Sequence, residues 1–84
     1  MKAYNGHRSW NAWNVSLWIN NDELTYNLAR HLMVELSRQP WFIKNESTNR
    51  IVEIMQVFLP SKTPDGAAYN KLSIKLVLLD LLEN

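Results

Sequence analysis

The spacing of apolar side chains predicts a helix in the first quarter of the chain. The apolar residues recur there at i, i+3, i+7 and i+8, which is one face of a helix with 3.6 residues per turn. They are Trp10, Trp13, Leu17 and Trp18. Ser9 precedes them as a typical N-cap, and the pair Asn20-Asn21 favours a stop because asparagine accepts capping and left-handed conformations. The predicted first helix is 9–19.

A leucine stripe predicts the second helix, over residues 22–37. Its members are Leu24, Leu28, Leu32 and Leu36. Asn20 with Glu23 three residues later resembles a capping box at its start. Pro40 disfavours helical backbone at Gln39 and so marks its end.

A third helix is predicted over residues 46–59, after the apolar connector Trp41-Phe42-Ile43, which we expect to pack onto the core. Asn45 is the expected N-cap, and Pro60 ends the helix. The apolar face recurs at i, i+3, i+4 and i+7. It consists of Ile51, Ile54, Met55 and Phe58. Beyond Pro60, the run Thr63-Pro-Asp-Gly66 is a concentrated turn signal.

The last segment fits two secondary structures. Residues 72–76 alternate between apolar and polar like a strand, but a lone strand has no partner in an otherwise helical chain. A fourth helix over 68–83 is therefore favoured, and it is apolar almost all the way round. Such a helix is either central to the fold or covered by another chain. We favour a symmetric homodimer, with Leu78 and Leu82 at the contact.

These elements make an all-α fold with one domain spanning residues 1–84, a length that supports a single core. The predicted core consists of Trp13, Leu17, Leu28, Leu32, Ile51, Met55, Phe58, Leu76 and Leu79. The longest apolar run has four residues, far too few to span a membrane. Residues 1–5 lack the apolar stretch of a signal peptide. We therefore expect a cytoplasmic protein.

The charge balance disfavours nucleic acid as a partner. Nine Lys and Arg are interspersed with eight Asp and Glu, for a net charge of +1, so the chain has no basic footprint. The alternative that remains is a small nucleic-acid-binding regulator, if the basic residues of the second and third helices gather on one side. Those residues are Arg30, Arg38, Lys44 and Arg50.

The sequence offers no set of residues for catalysis or metal binding. Cysteine is absent, which excludes disulfides and thiolate chemistry. His7 and His31 lack companions at a zinc-ligand spacing, and the serines lie in no nucleophile-elbow motif. Only two glycines leave no phosphate-binding loop. We expect neither an enzyme nor a bound cofactor.

One stretch resembles a known family. Residues 13–23 read WNVSLWINNDE, preceded by Tyr4-Asn-Gly and followed by Tyr26-Asn-Leu-Ala. This resembles small proteins of unknown function from phages, plasmids and bacteria that carry the signature NYETWNVALWINNDE near their start. Asn11 and Ala12 stand where those proteins have an acidic residue and threonine, and Trp10 stands where they have tyrosine. The resemblance implies a small, mostly helical protein of a mobile element, and it brings no catalytic residues.

Size, the missing catalytic set and this resemblance together predict an interaction protein that binds a host protein. One concrete form is inhibition of a host defence system such as CRISPR or restriction. Large aromatic side chains usually pack in cores but also anchor interfaces. Trp10 is the tryptophan of the first helix that we most expect to be exposed. The expected partner-binding residues are Arg8, Trp10, Asp22 and Glu23.

Overall fold

The computed structural model describes residues 9–83 and shows an all-α domain of four helices. They are α1 (Trp10–Asn21), α2 (Glu23–Ser37), α3 (Lys44–Phe58) and α4 (Lys71–Glu83). The predicted fold class is confirmed. The segment between α3 and α4 holds one isolated antiparallel bridge, between Lys62 and Ala68.

Helix α1 begins where predicted but buries a different face. The Ser9 hydroxyl accepts a hydrogen bond from the Ala12 amide at 3.1 Å, which confirms the N-cap. The buried residues are Ala12, Asn14, Val15, Ser16 and Ile19, whereas Trp13 and Leu17, both expected in the core, are half-buried. Small side chains let α1 approach its neighbours closely, and the tryptophans lie at the flanks of that contact.

Helices α1 and α2 meet at a single capping residue. The Asp22 carboxylate accepts a hydrogen bond from the Thr25 amide at 3.0 Å, and the Asp22 amide donates to the Trp18 carbonyl at 3.1 Å. The predicted capping box of Asn20 and Glu23 is therefore wrong, because Asp22 is the N-cap. Asp22 lies directly before the first helical residue, where a short carboxylate reaches the free amides.

Helix α2 buries the centre of its apolar face. Ala29 and Met33 are inaccessible to solvent, and Leu28, Leu32 and Leu36 pack against them half-buried. Leu24 is 81% exposed. The leucine stripe thus borders the contact instead of filling it.

The connector and the start of α3 differ from the prediction. Only Phe42 of the apolar connector packs against the core, while Trp41 and Ile43 are exposed. Ile43 is the N-cap of α3, so Asn45 lies inside the helix. The Ser47 hydroxyl accepts a hydrogen bond from the Ile43 amide at 2.9 Å, which holds this first turn without a capping side chain.

The buried face of α3 partly matches the prediction. It consists of Ser47, Thr48, Ile51, Val52 and Met55. Ile51 and Met55 confirm the predicted core, but Phe58 at the end of the helix is 67% exposed. The expectation for Phe58 is wrong because α3 ends there, beyond the part of its face that other helices cover.

Helix α4 is central, since it packs against α1, α2 and α3. It begins at Lys71 instead of residue 68, after the Asn70 side chain accepts a hydrogen bond from the Ser73 amide at 2.9 Å. Ile74, Val77 and Leu78 are buried within the chain. This is the alternative that the apolar pattern left open, a helix covered by its own domain.

The central position of α4 changes the residues available for self-association. Leu78 has no solvent-exposed area, so its assignment to a dimer contact is wrong. Leu82 is half-buried and packs against the core, and Leu76 and Leu79 of the predicted core are half-buried as well. Homodimer formation itself stays a prediction.

The hydroxyl of Thr48 supplies a test of the core. Thr48 is fully buried, and its Oγ1 has no hydrogen-bond partner among the described residues 9–83. Thr48→Val replaces that hydroxyl with a methyl group of similar shape, and we expect the free energy of unfolding to rise by about 1 kcal/mol. Urea denaturation measures it.

Ser47→Ala is the matched control, because it removes a neighbouring hydroxyl that accepts the Ile43 amide. It should lower the free energy of unfolding by about 1 kcal/mol, because the Ile43 amide loses its hydrogen-bond acceptor. A Thr48→Val variant less stable than wild type contradicts the assignment of Thr48 as an unpaired buried group.

Candidate functional site

A buried asparagine joins α1 to the segment between α3 and α4. Asn14 is 1% exposed. Its Nδ2 donates to Asp65 Oδ2 at 2.8 Å, and its Oδ1 accepts from the Thr63 hydroxyl at 2.6 Å. A buried amide requires such partners on both sides, because leaving either one unpaired costs free energy. These bonds join residues about fifty positions apart in the sequence. Neither bond connects α1 to α2.

Asn11, one turn earlier on α1, forms side-chain hydrogen bonds to the backbone of the same segment. Its Oδ1 accepts from the Ala68 amide at 2.8 Å, while its Nδ2 donates to the Ala68 carbonyl at 2.8 Å and to the Ser73 hydroxyl at 2.9 Å. The Asn11 side chain thus pairs with both the N–H and the C=O group of Ala68, as a residue of a neighbouring β-strand does. We call Asn11 and Asn14 together the asparagine clamp.

The clamped segment contains a tight turn. The Thr63 amide donates to the Ala67 carbonyl at 2.8 Å, and the Ala67 amide donates back to the Thr63 hydroxyl at 3.0 Å. Gly66 has a φ of 95°, in the left-handed region that favours glycine. The structure thus confirms the turn that the sequence predicts at 63–66.

The clamp also fixes the position of a tryptophan ring. Asp65 Oδ2, which accepts from Asn14, accepts in addition from Trp18 Nε1 at 2.9 Å. These two bonds, first that of Asn14 and then that of Trp18, lower the pKa of Asp65 below its ordinary value of 3.8. The Trp18 indole is therefore tied by a charge-assisted hydrogen bond to the turn on the opposite side.

Between the α1–α2 junction and the clamped segment lies an open cleft of about 330 Å³. Three aromatic side chains and two prolines give it apolar walls. We call it the aromatic cleft, and its lining consists of Trp18, Asn21, Asp22, Thr25, Phe58, Leu59, Pro60, Pro64 and Tyr69. The aromatic residues come from α1, from the end of α3 and from the clamped segment, so the tertiary fold assembles the cleft.

Asp22 is the charged residue of this lining. Hydrogen bonds from the Thr25 hydroxyl and then the Thr25 amide lower the pKa of Asp22, so its carboxylate is ionised at neutral pH. The pKa of Tyr69 is raised, first by burial and then by the negative charge of Asp22. The cleft is therefore lined by aromatic side chains and by one ionised carboxylate.

The predicted partner-binding residues are not gathered at this cleft. Arg8 lies outside the described residues. Trp10 is 40% exposed, and Glu23 is exposed, yet neither lines the cleft, whereas Asp22 does. Sequence reasoning missed Trp18, Phe58 and Tyr69, since helical spacing alone assigned the first two to apolar faces and gave no signal for Tyr69.

The basic residues proposed for nucleic acid are partly neutralised. Arg38 pairs with Glu35 at 3.6 Å, and Lys44 pairs with Glu83 at 3.3 Å. Arg50 lines a second, larger groove between the connector and α3, where Glu46 and Glu53 also lie. Arg30 is exposed on α2. Three of the four basic residues, Arg38, Lys44 and Arg50, are thus paired with a carboxylate or share a groove with one.

Residues 9–83 contain neither a candidate metal-binding cluster nor a helix suited to cross a membrane. No group of three or more His, Asp or Glu side chains in that range is placed to hold a metal ion. Among the four helices of the same range, none combines the length and apolar character needed to cross a membrane.

A family model described as a family of unknown function, DUF7249, matches residues 1–83. No curated protein and no solved structure matches the chain.

Removing the Asn14 amide tests the asparagine clamp. In Asn14→Ala the buried Thr63 hydroxyl loses its acceptor and Asp65 loses a donor. We expect the free energy of unfolding to fall by about 2–3 kcal/mol, since buried groups are left unpaired. Asn27→Ala, on the exposed surface of α2, is the control and should stay within about 0.5 kcal/mol of wild type. Equal losses in the two variants contradict the clamp.

The Asp65 carboxylate makes the clamp sensitive to acid. Because its pKa is lower in the folded state, its stabilisation is complete above about pH 4 and is lost as the pH falls through the folded pKa. The Trp18 indole N–H resonance should follow this titration, with a midpoint below 3.8. A midpoint at or above that value contradicts the assignment. Asp65→Asn should weaken the acid dependence of the unfolding free energy, whereas Asp22→Asn should retain the Asp65 contribution.

Proposed function

The chain belongs to the DUF7249 family of unknown function, and we propose that it is an interaction protein that binds a host protein without catalysis. The observation that carries the proposal is the aromatic cleft. Its apolar walls face solvent in the isolated chain, and Phe58 at its edge is 67% exposed. Burial of aromatic side chains supplies much of the binding energy at protein interfaces.

The walls of the cleft are held in place before a partner binds, which supports the proposal. The Trp18 ring is held by Asp65, and Asp65 is held by the buried Asn14. Side chains that are ordered before association lose less conformational entropy when a partner docks. The walls supplied by α1 and the clamped segment are in this sense preorganised.

The composition of the lining favours a protein over a nucleic acid. Lysine and arginine, which bind phosphates, are absent from the lining of the cleft as the described residues define it, and Asp22 repels phosphate. Aromatic rings with a few polar groups are typical of protein interfaces, where charged residues are depleted at the centre.

The finer form of the proposal is that the chain comes from a phage or another mobile element and that its partner belongs to a host defence system, such as CRISPR or restriction. Its small size and the resemblance of residues 13–23 support this form. A binder that covers a working surface of a defence complex inhibits it by occupancy, which requires no chemistry from the binder.

The experiment compares two neighbouring residues at the end of α3. Phe58 lines the cleft, whereas Val57 is 79% exposed and lies outside the lining. A photoreactive amino acid is placed at position 58 or at position 57, in the cell in which the chain acts. We expect a discrete protein adduct from position 58 and a weaker one from position 57.

The adduct partner is then purified and its affinity is measured by calorimetry. Phe58→Ala should weaken binding about tenfold or more, as truncation of an interface aromatic does, and Val57→Ala should leave it within about twofold. Equal affinities of the two variants, or an adduct with nucleic acid, contradict the proposal. A purified partner without a role in defence contradicts only its finer form.

A further inference from the structure

We propose that the aromatic cleft binds the guanidinium group of an arginine side chain presented by the partner protein. This inference rests on the proposed function and specifies the chemistry of the group that enters the cleft. The residues that carry it are Asp22 and the aromatic side chains of Trp18, Phe58 and Tyr69, which line the same cleft.

The Asp22 carboxylate has an oxygen free for an external donor. Its Oδ2 accepts both the Thr25 amide and the Thr25 hydroxyl. Its Oδ1 accepts no hydrogen bond from any residue between 9 and 83 for which contacts are described. The helix cap thus uses one oxygen, and the other is available to a ligand.

The Asp22 carboxylate has no basic side chain as a partner among the described residues. Salt bridges in the described part of the chain involve Glu35, Glu53 and Glu83, and none of them includes Asp22. An apolar ligand that fills the cleft desolvates this carboxylate without compensation, and an anionic ligand is repelled by it. A cation is the occupant that the charge favours.

The aromatic walls favour arginine over lysine. A guanidinium is planar, stacks on aromatic faces and at the same time donates hydrogen bonds in its own plane. An ammonium group is more strongly hydrated and makes a point contact. A ring wall beside a free carboxylate oxygen therefore matches the arginine side chain best.

The position of Trp18 favours the same geometry. Its indole nitrogen donates to Asp65 at 2.9 Å, so the remaining way for this cleft-lining ring to bind a cation is through its π system. Asp22 follows it by one turn, and its backbone amide donates to the Trp18 carbonyl at 3.1 Å. The stacking surface and the carboxylate are thus held together by the end of α1.

Nuclear magnetic resonance titration of the full chain tests the inference directly. The probe is N-acetyl-arginine methylamide, and its citrulline counterpart is the neutral control of nearly the same shape. The arginine probe should shift the Trp18 indole and the Thr25 amide resonances in a saturable way, with the Trp18 resonance assigned by its loss in Trp18→Phe. The citrulline probe should bind about fivefold more weakly or worse, because it lacks the charge.

Two variants separate the role of Asp22 from a general charge effect. Asp22→Asn keeps a good N-cap and removes the carboxylate, so it should reduce arginine binding to the level of citrulline. Glu23→Gln removes the same charge from the adjacent exposed residue outside the lining and should stay within about twofold of wild type, because an exposed carboxylate that does not contact the ligand interacts with it only weakly through water. The lysine counterpart of the arginine probe should bind more weakly than the arginine probe.

Failure of this inference is distinguishable from failure of the proposed function. If the arginine and citrulline probes bind alike, or if Asp22→Asn and Glu23→Gln have equal effects, the arginine inference is wrong, while the protein-binding proposal still stands on the Phe58 experiment. If Phe58→Ala leaves partner affinity unchanged although the arginine probe binds, the cleft is a cation site and the protein-binding proposal is wrong.

Discussion

The fold depends on one buried amide group. Asn14 is carried into the interior on the same helix that presents Val15 and Ile19 to the core, so its side chain requires hydrogen bonds from the protein itself. Thr63 and Asp65 provide them. Because both lie in the turn after α3, satisfying one polar group fixes where that turn rests, and a shifted turn leaves the amide, the hydroxyl and part of the carboxylate unpaired.

The same constraint reaches α4 and the cleft. Asn11 bonds both the backbone of Ala68 and the hydroxyl of Ser73, in the first turn of α4. The clamp therefore sets the start of the helix that packs against the other three. On its outer side Asp65 holds Trp18, so the position of an aromatic wall follows from a buried hydrogen bond. A change in the clamp is in this way felt both in the core and at the surface.

The sequence predicts the helices well and their buried faces poorly, for a physical reason. Helix boundaries follow from local signals, as Ser9 and Pro60 show. The choice of face does not, because α1 carries two overlapping stripes with helical spacing, one of tryptophans and one of small residues. The Asn14 bonds join residues about fifty positions apart, and no local pattern encodes them. Asn11, Asn14 and Trp18 do recur at i, i+3 and i+7, so helical spacing alone places on one side of α1 the three side chains that bond to the clamped segment.

Large and small side chains are distributed differently between the helix contacts and the cleft. Small side chains fill the contacts between helices, namely Ala12, Val15 and Ala29, although larger side chains bury more apolar area. The larger side chains of Trp18 and Phe58 line the cleft. A domain of 84 residues has a small core, so apolar side chains that stay exposed leave it with less stabilisation from burial. The hydrogen bonds of Asn11 and Asn14 compensate for this, because they hold the clamped segment in place without burying aromatic side chains. The aromatic side chains thereby remain at the cleft and not in the contacts between helices.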